Sequence, residues 1–205
     1  MAKWFCAALL AACAVPAVAD LLKIVNVNAP AINCVFHPSC RVTVSDTSAP
    51  IAISGAAGSG FLQTRTYRGR KGARAAGLYV YEYRVDLRNL AGILKLPAIV
   101  SLRVDFGPVV NSLDYDGDGK TGDQVFVITR GGLGSVAPVS AEQTGNMITF
   151  EFGAGVSGGA SRGRGQSSFF FGVVSSKPPR PSTASAATNS GATLTLSARA
   201  PSYSK

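Results

Sequence analysis

Four of the 11 acidic residues of this 205-residue chain fall within one short stretch, Asp114-Tyr115-Asp116-Gly117-Asp118-Gly119-Lys120-Thr121-Gly122-Asp123. Carboxylates spaced this closely repel one another, and a hard cation that prefers oxygen ligands removes the repulsion. The spacing Asp-x-Asp-x-Asp-Gly offers carboxylate oxygens from Asp114, Asp116 and Asp118 and the backbone carbonyl of Lys120. Gly119 is free to take the sharp turn that wraps a chain around an ion. Calcium is the cation expected. The bland alternative is an ion-free hairpin tip, because Asp and Gly are also the residues turns favour.

The pattern matches the first half of a helix–loop–helix calcium loop, with two departures. Val125 stands where the loop's last, bidentate glutamate belongs, and the flanks Val104-Asp105-Phe106 and Val125-Phe126-Val127-Ile128 read as strands. The loop therefore resembles the Asp-x-Asp-x-Asp-Gly loops of dockerins and of integrin-type β-propeller repeats. That resemblance covers residues 114–123 only and implies an ion, without implying a family or a fold. Asp123 is the candidate for the missing carboxylate, one place later than the last aspartate of the propeller loops.

A second cluster carries the opposite charge. Arg65, Arg68, Arg70, Lys71 and Arg74 lie close together with Tyr67, Gly69 and Gly72 between them. Such a patch suits an anionic polymer, whether lipopolysaccharide, an acidic polysaccharide or extracellular DNA, and Arg162 and Arg164 could join it. The alternative is a solvated loop that keeps an apolar protein soluble. Tyr79, Tyr81 and Tyr83 alternate along one stretch, so their rings share a side. They could stack on sugars, but Val85 and Leu87 continue the same face, which reads as core with Glu82, Arg84 and Asp86 turned outward. Phe169 and Phe171 read as core likewise, with Phe170 opposite.

For catalysis the inventory is thin. The single His, His37, sits inside Cys34-Val-Phe-His-Pro-Ser-Cys40, and a Ser/His/Asp or Cys/His site would need it. A glycosidase needs two carboxylates across a cleft, and Glu82 and Glu151 are the strand-borne glutamates available. A secreted polysaccharide-active enzyme built on that pair is the alternative to a non-enzymatic module.

The elements that must hold these residues are strands. Period-two alternation marks 22–27, 41–45, 61–67, 78–87, 99–106, 124–130, 147–152, 168–174 and 192–198, separated by Gly-rich turns. About nine strands without a helical stripe predict an all-β fold, an antiparallel β-sandwich over 20–175. From Lys177-Pro178-Pro179-Arg180-Pro181 onward the chain becomes rich in Ser, Thr and Ala. Residues 176–205 are expected as an extended or disordered linker or tail, with a possible last strand at 192–198.

Residues 1–19 read as an export signal: Lys3, an apolar run from Trp4 to Val15, Pro16, and the small-x-small site Ala17-Val18-Ala19. Export directs Cys34 and Cys40 to pair in an oxidising compartment and disfavours intracellular nucleic-acid work. The expected location is secreted or periplasmic. Leu10-Ala11-Ala12-Cys13 resembles a lipobox, so a lipid-anchored envelope lipoprotein through Cys13 is the alternative. Lys3 would leave with the signal, taking the net charge from +9 to +8. A composition of 46% hydrophobic and 15% charged residues excludes a disordered polyelectrolyte, and the 23 glycines follow no collagen period. The reading is an exported binding or structural module with a calcium-stabilised loop and an anionic polysaccharide or lipopolysaccharide as partner.

Overall fold

The computed structural model describes residues 19–92 and 95–204. Residues 1–18 of the proposed signal, Cys13 among them, lie outside the described residues. In chain order the elements are β1 (Asp20–Leu21), β2 (Ile24–Asn28), the single helical turn α1 (Asn33–Phe36), β3 (Ser45–Ile51), β4 (Ala56–Gly58), β5 (Gly60–Arg68), β6 (Tyr79–Asp86) and β7 (Leu90–Gly92). They continue with β8 (Ala98–Asp105), β9 (Val125–Arg130), β10 (Ser140–Thr144), β11 (Met147–Ser157), β12 (Phe171–Ser175), β13 (Pro179–Thr188) and β14 (Thr193–Pro201).

Two six-stranded sheets face each other. The first has the order β1-β10-β11-β8-β13-β14 and the second β2-β9-β12-β6-β5-β3, with β4 and β7 forming a small separate ribbon. The expected sandwich is thus present. Its pairings are antiparallel apart from β2, which runs parallel to β9. Alternation explains the core between the sheets: Tyr81, Tyr83, Val85, Phe171 and Val173 of the second sheet meet Leu102, Val104, Ile148, Phe150 and Phe152 of the first, all buried. Tyr83 packs its ring 6.3 Å from Phe150 and 6.1 Å from Phe171. Two polar tips stay satisfied in this interior, because the Tyr81 hydroxyl donates to the Lys177 carbonyl at 2.7 Å and the Tyr83 hydroxyl to the Arg199 carbonyl at 2.8 Å.

Three expectations change. The strand expected at 41–45 begins at Ser45 and runs to Ile51. It forms an edge of the second sheet, which tolerates Pro50 because that side of the strand need not donate to a ladder. The segment expected as a linker or tail, with a possible last strand at 192–198, is strand along most of its length: β13 pairs with β8 on one side and with β14, that last strand, on the other, and Ala184, Ala186, Leu196, Ala198 and Ala200 are buried. Small side chains hid it, since alternating Ala with Ser or Thr carries a period-two pattern of low hydrophobic contrast. Third, the outer face of the second sheet is largely covered. A second apolar cluster of Val27, Val35, Phe36, Tyr67, Phe126 and Val174 covers it.

Candidate functional site

The acidic loop is an excursion immediately before β9. Its base is closed by an antiparallel bridge in which Leu113 and Asp123 exchange backbone hydrogen bonds of 2.9 and 3.0 Å. Within it, turn chemistry draws the carboxylates inward. Asp114 accepts from the amides of Gly117 at 2.7 Å and Gly119 at 3.2 Å, and Asp116 accepts from Asp118 at 3.1 Å. Gly119 has a φ of +83°, the left-handed conformation anticipated for the wrapping turn. Oxygens of Asp114, Asp116 and Asp123 all lie within 4.8 Å of one another, a group able to hold a metal ion.

Of the expected carboxylates, Asp118 is not in that group. The Asp118 carboxylate accepts the Lys120 amide at 2.8 Å and faces its ammonium at 3.7 Å. The Lys120 amide above all, joined by the ammonium groups of Lys120 and Lys23, holds Asp118 below the usual carboxylate range against the opposing desolvation. Asp123, anticipated as the supplementary ligand, is fully buried and accepts the Tyr115 amide through Oδ2 at 2.9 Å. Its Oδ1 forms an ion pair with the Lys23 ammonium 2.7 Å away. Asp114 is paired with Arg74 at 2.9 Å. Two cations thus offset part of a three-carboxylate charge.

The loop belongs to a larger cap over the outer face of the second sheet. Tyr115 turns inward and packs 5.0 Å from Phe126 and 6.3 Å from Phe36. Phe36 ends α1 inside the Cys34–Cys40 loop, whose two sulfurs are bonded as expected. The backbone carbonyls of Val35 and Phe36 accept from the amides of Ala75 and Arg70, each at 2.9 Å, which ties the disulfide loop to the basic loop. Gly172 makes this stacking possible: a β-carbon there would sit 2.3 Å from the Phe126 ring, the ring on which Tyr115 and Phe36 rest. Three segments singled out separately by sequence are one assembly.

The basic cluster is divided. Arg65 points along β5 into ion pairs with Asp46 at 2.9 Å and Glu82 at 3.8 Å, and Arg74 is engaged by Asp114. Arg68 lies 5.2 Å over the Tyr79 ring. Arg68, Arg70 and Lys71 border one surface depression of about 440 Å3. His37 is held locally, its Nδ1 2.8 Å from the Ser39 hydroxyl.

The outward face expected for Glu82, Arg84 and Asp86 is buried instead, at 2%, 5% and 2% exposure. Burial of charge requires partners. Arg84 pairs with Asp86 at 3.1 Å, Arg88 with Asp86 at 2.6 Å, and the guanidinium groups of Arg65 and Arg84 lie 4.5 and 5.2 Å from the Phe170 ring. Glu82 accepts the Tyr67 hydroxyl at 2.6 Å. Desolvation pushes its carboxyl up to about 7, against the opposing pull of Tyr67 and Arg65. Glu151 lies exposed on the first sheet between core residues Phe150 and Phe152. Glu82 and Glu151 therefore occupy opposite outer faces of the sandwich and share no cleft. The sequence offered one signal for the buried row: Glu, Arg and Asp at alternate positions beside Arg65 and Asp46 can neutralise one another across strands.

No protein-family model, curated protein or solved structure matches this chain. Its fold and its side chains are what define it: a β-sandwich with a cross-linked cap that carries an acidic triad.

Proposed function

We propose that the chain is an exported, non-enzymatic β-sandwich module of the bacterial envelope or exterior, binding or structural, whose acidic loop takes calcium. The observation that carries this reading is the convergence of Asp114, Asp116 and Asp123 within 4.8 Å. Calcium is the hard, oxygen-seeking ion that such carboxylates suit, and outside the cell it is plentiful enough to fill a site of modest affinity, with Kd on the order of 10⁻⁴ to 10⁻³ M. The ion would relieve the repulsion that Lys23 and Arg74 only partly offset, and would fix Tyr115 in the cap. Export is supported by the leader-like residues 1–19 and by the Cys34–Cys40 disulfide, which belongs to an oxidising compartment. No helix among the described residues is long and apolar enough to cross a membrane. The partner we assign is an anionic polysaccharide or lipopolysaccharide, received by Arg68, Arg70 and Lys71 with Arg74 freed as the ion takes Asp114.

Thermal unfolding tests the calcium reading. At calcium about tenfold above Kd, the chelator-treated wild type should gain about 3–5 °C. Asp116→Asn, at an exposed ligand position, should abolish the gain and leave the calcium-free Tm almost unchanged. An unmoved wild-type Tm, or an equal gain in the variant, overturns the reading.

A further inference from the structure

Away from the acidic loop, the outer face of the second sheet holds a pocket of about 240 Å3. Its floor includes Glu82 and Arg65, and its walls include Val42, Ile128, Leu133 and Asn33. Leu133 at the rim is 54% exposed, so the pocket opens to solvent, whereas Glu82 is 2% exposed. A nearly fully buried carboxyl on the floor of an otherwise largely apolar pocket is an expensive feature that a hydrophobic residue would avoid.

The row is neutral as a whole, with Arg84 and Arg88 both turned to Asp86, but the charges next to Glu82 are shared unevenly. Arg65 is held by Asp46, with Nε 2.9 Å from Oδ1 and its terminal nitrogen 3.2 Å from Oδ2, and Gln63 occupies the same carboxylate at 3.1 Å. What Arg65 leaves for Glu82 is one terminal nitrogen 3.8 Å from Oε2, too long for a hydrogen bond. Arg84, two residues along β6, is turned to Asp86 at 3.1 Å and to Gln63 at 3.1 Å. Tyr67 fills Oε1 of Glu82. Glu82 and Asp46 thus share the Arg65 guanidinium, and Oε2 has no hydrogen-bonding partner among the described residues.

We infer that this pocket is a binding site for a primary ammonium group on a slender aliphatic stem, with Glu82 Oε2 as its acceptor. An ammonium brings to Oε2 the close, charged donor that Arg65, at 3.8 Å, does not supply, and it is compact. A planar guanidinium would want two acceptor oxygens where one is on offer. Val42, Ile128 and Leu133 suit the stem. An anion would face two carboxylates. The group could be carried by a free small amine or by the lysine side chain of a polypeptide. The site does not depend on calcium, since none of its residues belongs to the acidic loop.

An NMR titration of the folded chain compares n-butylamine with n-pentanol, a neutral molecule of similar shape. At pH 8 the amine should perturb the amides of 131–133 and of Glu82 and bind at least tenfold tighter than the alcohol. Its affinity should fall about tenfold at pH 6, because the Glu82 carboxyl, which titrates near 7, is then largely protonated. Glu82→Gln, nearly isosteric, should erase the amine's advantage and the pH dependence together. Should that variant fail to fold, the amine–alcohol comparison on the wild type still decides. Nα-acetyl-lysine methylamide identifies the source: binding as tight as butylamine assigns a polypeptide lysine, and exclusion with butylamine still bound assigns a free amine. Equal binding of amine and alcohol, perturbation confined to other residues, or an advantage surviving in Glu82→Gln overturns the inference.

Discussion

Burying Glu82 beside Tyr67 gives the protein a pH dependence that can be read directly in its stability. In the unfolded chain a glutamate titrates near its ordinary value of 4.5, whereas desolvation in the fold raises Glu82 to about 7. Between those values the folded state holds a proton that the unfolded state has released, so stability falls as pH rises through that window. The size of the effect is up to ~3 kcal/mol over the window. Chemical denaturation at intervals from pH 4.5 to 8 should show this decline in the wild type, and Glu82→Gln should flatten it. A decline that persists unchanged in the variant would assign it to another group. Sequence could not supply this residue's environment. Glu82 alternates with tyrosines as any solvent-facing strand charge would, and only the covering by Phe170 and the cap removes it from water.

At the scale of elements, the cap is the unit that links the disulfide to the acidic loop. The bonded Cys34–Cys40 turn holds Phe36 under Tyr115, and its carbonyls fix the basic loop that sends Arg74 to Asp114. Reducing the disulfide should therefore cost about 2 kcal/mol of stability from the short closed loop. It should also shrink the calcium-induced rise in Tm, because the loop loses the surface that supports Tyr115. Melting curves with and without reductant, each with and without calcium, check both effects. A calcium response untouched by reduction would show that the loop stands independently of the cap. The disulfide and the acidic loop were legible from spacing alone, and Asp123 was legible as the added carboxylate. Their contact was not, because it is made by backbone groups and by aromatic rings far apart in sequence. The exclusion of Asp118 from the triad was equally hidden, since it turns on which amide each carboxylate accepts.

For the whole molecule, the sandwich was legible because large residues alternate along most of its strands, and Tyr81, Tyr83, Phe150 and Phe171 fall on the expected side. The closing hairpin was less so, for it is built of Ala, Ser and Thr. Its place is structural: β13 lies inside the first sheet, and the Tyr81 and Tyr83 hydroxyls donate to Lys177 and Arg199. A chain ending at Ser176 should consequently fail to fold cooperatively, as seen in lost dispersion of its NMR spectrum. A well-dispersed spectrum would restore the segment to a dispensable tail. An ion held by the acidic triad can be read with terbium, a calcium substitute that emits when a neighbouring tyrosine is excited. Tyr115, whose amide is bound by Asp123, is placed to sensitise it. We expect tyrosine-excited terbium emission from the folded chain that calcium displaces, and that is lost when Asp116→Asn and Asp123→Asn are combined in a chain verified to be folded. Absent emission, or emission of equal strength in the double variant, would contradict ion binding by the triad.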